Sequence, residues 1–199
     1  MKSLNILVRL APKTIAAVIC VATFNSAIAA ALDPVIDDFS DPKNNSLGFE
    51  RQFINDTVSG GQTNMEQDFD EGVFSAKGDI SPPRGQPGWA STVLLFENQG
   101  LPQDASAYEG IRLLVRVNKG NLSISANSSE ITNFDYHAAQ VTRQSDGEFH
   151  EIKIPFTQMK RAWSEQTELN TKTLTSLSIV AFDIQQGSFD YEIDEVSFY

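Results

Sequence analysis

The stretch Asn55-Asp56-Thr57-Val58-Ser59-Gly60-Gly61-Gln62-Thr63 gathers a carboxylate, several hydroxyls and two adjacent glycines into nine residues. Glycine takes up positive φ freely, and Asn, Asp and Ser close turns through their own side chains, so one reading is a tight connection between β-strands. The other is a loop whose exposed backbone N–H groups and carboxylate stand at the mouth of a ligand or partner site, with Asn55, Asp56, Ser59, Gly60 and Gly61 as contact residues. Other chemistries leave less trace. No Lys-Ser/Thr follows the glycine pair, as a phosphate loop requires, and there is no Gly-x-Ser-x-Gly elbow. His137 and His150 are the only histidines; in separate predicted strands, they read as surface or rim residues rather than metal ligands. Asp56 with Asp68, Asp70 or Glu71 would supply paired carboxylates for glycoside hydrolysis, but sequence does not fix the separation that mechanism demands.

Aromatic side chains offer a different chemistry, in which a flat ring stacks on a pyranose and neighbouring polar groups hydrogen-bond its hydroxyls. Trp89, Phe134, Tyr136 and Trp163 are the rings available, with Arg112, Arg116 and Asn127 as polar partners. Most aromatic residues of a β-protein fill its core. Tyr136 and Trp163 stand in polar neighbourhoods, which makes these two the expected ligand contacts. Lining one concave face they would favour glycan binding; buried, they would count against it.

The elements that must position these groups begin after a targeting segment. Lys2, Arg9 and Lys13 form a basic start, Thr14 to Phe24 is apolar, and Ala27-Ile28-Ala29 supplies small residues for cleavage. This is the pattern of a signal peptide over residues 1–29, so residues 30–199 are expected as one exported domain, periplasmic or secreted, without stable membrane insertion after cleavage. Cleavage leaves 12 Lys and Arg against 26 Asp and Glu, a formal charge of −14, and removes the single cysteine, Cys20. Such a surface disfavours nucleic acid as a partner, and no disulfide or thiol nucleophile is available.

Within the domain the pattern is β throughout. Gly72 to Ile80 puts Phe74, Ala76 and Ile80 on one face, and Ile111, Leu113, Val115 and Val117 alternate with Arg112 and Arg116. The turn Asn118-Lys119-Gly120-Asn121 leads into the alternating Leu122 to Ala126, so these two segments are expected to pair as a hairpin. Trp89 to Phe96 and Leu177 to Ile184 read as strands covered on both faces, and Pro155 marks a strand end or an edge. Ser81 to Gly88 reads as a loop, and Thr157 to Thr173 as a short helix or irregular excursion. In Phe189 to Tyr199 the apolar positions change phase after Ile193, which predicts a β-bulge near Asp194-Glu195. Many short strands separated by regular turn signals are the signature of a sandwich or barrel.

Several of these segments recur together in one family. Asp37-Asp38-Phe39, Asn55 to Gly61, Phe74 to Gly78, Tyr108-Glu109-Gly110-Ile111, Ile154-Pro155-Phe156 and Tyr191 to Val196 occur in an order that resembles the thirty-kilodalton complex I intermediate-associated protein family, from Ile36 to the C-terminus. The pattern departs at Ser59, where the family has Met before its glycines, and at Gly88-Trp89, where a Phe follows a Gly pair. The resemblance implies a galactose-binding-like jelly-roll β-sandwich of two antiparallel sheets with no catalytic constellation. Its mitochondrial members are assembly factors, while related sandwiches bind carbohydrate, often with a structural calcium ion. If the first and last strands lie side by side, as the resemblance implies, Asp37 or Asp38 meets Asp194 or Glu195 and calcium is the expected cofactor; otherwise these are solvated strand-edge charges. The expectation is a non-enzymatic module binding a protein partner through the loop at Asp56, or a glycan through Tyr136 and Trp163.

Overall fold

The computed structural model describes residues 32–144 and 146–199; the predicted signal peptide, residues 1–29, lies outside them. Twelve strands form in chain order: β1 (Val35–Asp37), β2 (Gln52–Asn55), β3 (Glu66–Asp70), β4 (Val73–Ile80), β5 (Gly88–Leu95), β6 (Gly110–Lys119), β7 (Asn121–Ser128), β8 (His137–Val141), β9 (His150–Pro155), β10 (Lys160–Arg161), β11 (Leu174–Asp183) and β12 (Gly187–Phe198). They make two six-stranded sheets. The first runs β3-β4-β12-β6-β9 with β1 also on β12, and the second runs β10-β8-β7-β11-β5-β2, every pairing antiparallel.

Period-two alternation decides which side chains fill the space between the sheets. From the first come Phe74, Ala76 and Ile80 of β4 and Ile111, Leu113, Val115 and Val117 of β6. The second contributes Ala90 and Leu94 of β5, Leu122, Ile124 and Ala126 of β7, and Leu177, Ile179 and Ala181 of β11. β12 is the spine of the first sheet. Its inward residues are Phe189, Tyr191 and Ile193, then Val196 and Phe198, and the change of phase coincides with a register shift against β6 between Ile193 and Glu195. That is the predicted bulge: one extra residue turns the rest of the strand over, so both halves bury an apolar face.

Two expectations fail. β6 and β7 do not pair: β6 lies between β12 and β9, β7 between β11 and β8. Gly120, at φ 82°, is the single residue between them, and it carries the chain from one sheet to the other. Alternation assigns each segment a buried face, and it is silent about which strand lies beside it. β5 and β11, read as covered on both faces, each bury one face in the core, while Trp89 and Val180 on the other are half exposed. Pro155 closes the edge strand β9 as expected, and 157–173 forms no α-helix: it is irregular apart from the two-residue strand β10 and 3-10 turns at its ends, with Met159 buried and Trp163 outside.

At one end of the sandwich Asp37 is buried against Arg51, which is buried too. Arg51 Nε and Nη2 reach the two carboxylate oxygens at 2.6 and 2.7 Å, and Nη1 donates to the Asp41 carbonyl at 2.7 Å. The guanidinium also lies 5.0 Å from the Phe39 ring centroid and 4.9 Å from that of Phe69. Removing one partner of such a pair strands the other charge in the interior. Arg51→Met is expected to lower the unfolding free energy by about 3–5 kcal/mol, measured by urea denaturation.

Candidate functional site

The outward face of the second sheet is built from small side chains where the strands run through its centre. Ser91 of β5, Ser178 and Val180 of β11, and Ser123 and Ser125 of β7 all point away from the core, by the alternation that buries their neighbours. In register, Ser178 faces Ser125, while Val180 sits between Ser91 and Ser123. Serines leave space above the sheet, and that space is a cleft of about 480 Å3, within the size range of ligand sites. Asn127 crosses its floor, its amide donating to the Ser176 hydroxyl at 2.9 Å and the Ser178 hydroxyl at 2.8 Å. Ser125, 1% exposed, makes no hydrogen bond through its hydroxyl.

Four aromatic residues wall the cleft: Trp89, Phe134, Tyr136 and Trp163. Tyr136 and Trp163 meet edge to face, centroids 5.2 Å apart at 84°, an arrangement the ring quadrupoles favour. Trp163 is 60% exposed and Phe134 93%. Phe134 also holds a left-handed backbone, φ 61°, which a bulky residue keeps only when its surroundings impose it.

The next residue, Asp135, ties this segment to 161–164. This buried carboxylate accepts from the backbone N–H of Tyr136 (2.8 Å), Ala162 (3.0 Å) and Ser164 (3.0 Å), and from Arg161 Nε at 2.8 Å. Arg161 extends the brace by donating to Asn133 Oδ1, and Asn133 donates in turn to the Ser164 hydroxyl. Burial opposes the charge on Asp135, but the hydrogen bonds from Ser164, Tyr136 and Arg161 outweigh it and hold the carboxyl far below the usual carboxylate range. Burial, with Asp135 second, pushes the Tyr136 phenol up, so it remains a neutral hydroxyl.

The glycine-pair loop follows its first reading in detail and its second only in part. Asn55 caps a 3-10 turn over Asp56–Ser59, Gly60 ends it at φ 90°, and the loop carries the chain from β2 in one sheet to β3 in the other. Asp56 is fully buried, so the expected exposed carboxylate is not there. Its oxygens accept from Thr63 N (3.0 Å), Thr63 Oγ1 (2.7 Å) and Trp89 N (3.3 Å), and a side chain on Gly61 would collide with it. Asp56 therefore fastens the start of β5, and with it Trp89, at the cleft wall. Ser59 turns its hydroxyl back onto the Asp56 carbonyl, while Gly60 and Gly61 line a second groove of about 860 Å3 with Gln62, Arg84 and Gln186, which adjoins the cleft at Gln86 and Pro87.

The four carboxylates expected around calcium do not converge. β1 does lie beside β12, but Asp37 is taken by Arg51, Asp38 by Ser40 and Ser46, and Glu195 by Arg112 and Ser197, while Asp194 is the bulge residue. Among the described residues no group of three or more potential ligands gathers. Arg112 and Arg116 are paired with Glu151, Glu195 and Glu192 on the first sheet, away from the cleft they were expected to serve. His137 is buried against the Thr167 carbonyl rather than on a rim, and His150 sits with Asp146 on the other sheet. Asp56 is buried with its oxygens spent on Thr63 and Trp89, whereas Asp68 and Asp70 lie on β3 of the other sheet and Glu71 follows it. The serine floor was missed. Its trace is the Leu-Ser-Ile-Ser run of β7, where every outward position carries the smallest hydroxyl residue.

Two outcomes follow from this arrangement. Because the Asp135 carboxyl is lowered in the fold and titrates near pH 4 when unfolded, its contribution is complete above about pH 4 and is lost only as pH falls through the lowered value. Tryptophan emission is expected to stay constant from about pH 8 to about pH 4, while Asp135→Asn, which strands Arg161, costs about 3–5 kcal/mol in urea unfolding. Calcium at millimolar concentration should leave the melting temperature unchanged in a thermal scan.

Comparison with solved structures places the architecture. A family 11 carbohydrate-binding module from Clostridium thermocellum, in complex with a β-1,3-1,4-mixed-linked tetrasaccharide, superposes with a TM-score of 0.58 at 14% identity, covering 83% of this chain and 94% of that one. The family 11 module of the cellulosomal cellulase Lic26A-Cel5E from the same organism gives 0.57 at 15% identity over 85% and 95%. An agarase gives 0.56 at 9% identity, over 82% of this chain and 24% of the enzyme. These likenesses establish the sandwich fold alone. No curated protein matches the chain. Residues 38–193 match the family described as Complex I intermediate-associated protein 30 (CIA30), from the segment at Asp38-Phe39 to Ile193 on β12, and the chain belongs to that family.

Proposed function

We propose that this protein is a non-catalytic glycan-binding module, exported after removal of residues 1–29 and acting in the periplasm or outside the cell, on a galactose-binding-like jelly roll. The observation that carries the reading is the cleft, where Trp89, Phe134, Tyr136 and Trp163 surround a floor of serines and Asn127. Rings give a sugar its apolar faces to stack on, and hydroxyl and amide groups match its hydroxyls. Trp163, 60% exposed, offers apolar ring area whose removal from water by a stacked sugar is favourable. The fold likeness to carbohydrate-binding modules is consistent with this use, although at such low identity it carries no residue across.

The family's description speaks for a second reading, a protein-interaction or assembly module working through the Asn55–Gly61 loop. Val58 on that loop is 74% exposed, and Gly60 and Gly61 line the adjoining groove. The burial of Asp56 removes the charged contact that reading would have used.

A glycan array probed with the full chain separates the two. Binding is expected, and Trp163→Ala should weaken it about 30-fold, equivalent to ~2 kcal/mol for losing a central aromatic contact. Absence of any array signal, with a protein captured through the loop and released by Val58→Asp, would establish the assembly reading instead.

A further inference from the structure

Charge is distributed unevenly over this molecule, and the cleft is where it is missing. The chain carries 15 Lys and Arg, 26 Asp and Glu and a net charge of −11, yet no residue lining the cleft is ionised at neutral pH. The segments that frame it follow the same rule. Besides the paired Asp135, residues 130–136 hold Glu130 and no cation, and residues 162–169 hold Glu165 and Glu168 and no cation. Arg161, between them, is spent on Asp135, and Arg84, on the loop that supplies Gln86, lines the neighbouring groove instead.

The floor's hydrogen-bonding capacity points the same way. Ser178 Oγ accepts from Asn127, which leaves its own O–H to donate; Ser125 Oγ has both capacities unspent. Asn127 uses its amide N–H groups on Ser176 and Ser178, so its carbonyl oxygen is left to accept. A sugar hydroxyl both donates and accepts and can satisfy such a mixed floor. An ionised carboxylate or sulfate ester can only accept, and would leave the Asn127 carbonyl facing an anion. It would also be desolvated among aromatic rings with no counter-charge, which is strongly unfavourable.

Resting on the glycan reading above, we infer that the cleft selects uncharged polysaccharide, a neutral hexose or pentose chain bearing neither uronate nor sulfate groups. Stacking and hydroxyl matching supply the affinity, and the lack of any counter-charge in the cleft supplies the discrimination, because an anion would be desolvated there unpaired.

Matched pairs of polymers test this with the full chain in affinity electrophoresis. Each pair shares a related backbone and differs in charge: hydroxyethylcellulose with carboxymethylcellulose, agarose with carrageenan, and mannan with alginate. The expected result is retardation by the neutral member of at least one pair, at least about tenfold weaker retardation by its charged counterpart, and loss of retardation in Trp163→Ala. Raising the salt should leave binding to the neutral polymer unchanged, because no ion pair is formed. Equal or stronger retardation by a charged member, lost in Trp163→Ala, overturns the selectivity while leaving glycan binding in place. Retardation by no member of any pair overturns the glycan reading itself and this inference with it.

Discussion

The aromatic walls of the cleft depend on one buried carboxylate. Asp135 collects three backbone N–H groups and the Arg161 guanidinium from segments 26 to 29 residues away in sequence, apart from the bond to its own neighbour Tyr136. Neither 131–136 nor 162–169 belongs to a strand, so their backbone donors have no ladder to satisfy them. A carboxylate is the side chain that can take several donors at once, and ionisation makes each bond stronger. Fixing the two segments fixes Phe134, Tyr136 and Trp163, which would otherwise sit on loops free to sample many positions. Rings ordered before a ligand arrives lose less entropy when it binds.

The two sheets divide the surface chemistry between them. On the outward face of the first, Arg112 meets Glu151 and Glu195, Arg116 meets Glu192, and Asn118 bridges Asp190 and Glu192. These half-buried pairs satisfy the cations in place and leave that face without a contiguous apolar patch. The outward face of the second sheet carries serines, Asn127 and aromatic walls. Alternation made both outcomes available, since a strand that buries every second residue leaves the rest free to vary. Arginine at those positions on β6 and serine on β7, separated by Gly120 alone, set the two faces apart.

Much of the fold was legible because it depends on local pattern. The faces of β4 and β6, the edge at Pro155 and the bulge in β12 all follow from apolar spacing or from proline. Pairing between distant segments was not: the short turn before Leu122 fits a hairpin, and only the occupied edges of β6 exclude one. The same limit applies to the site. Tyr136 and Trp163 stood out as aromatics among polar residues, whereas Asp135 resembled any loop aspartate until its donors from 161–164 were brought beside it. Asp56 was misread for a related reason, because its Gly-Gly context is the same whether its carboxylate faces water or Thr63 and Trp89.

That last hydrogen bond joins the family pattern to the cleft. The loop from Asn55 to Gly61 belongs to the segments by which the chain resembles its family, and its aspartate holds the backbone at Trp89. Trp89, like Ser59, is a position at which this sequence departs from that pattern, with an indole where the family resemblance implies a phenyl ring. An indole offers a larger face and an N–H donor, so the exchange alters what the cleft wall presents while the scaffold beneath it stays anchored. The buried loop and the open wall thus carry different constraints. Asp56 and Gly61 cannot change without disturbing the approach of carboxylate to backbone, whereas a half-buried ring at the cleft can be exchanged for another without touching that contact.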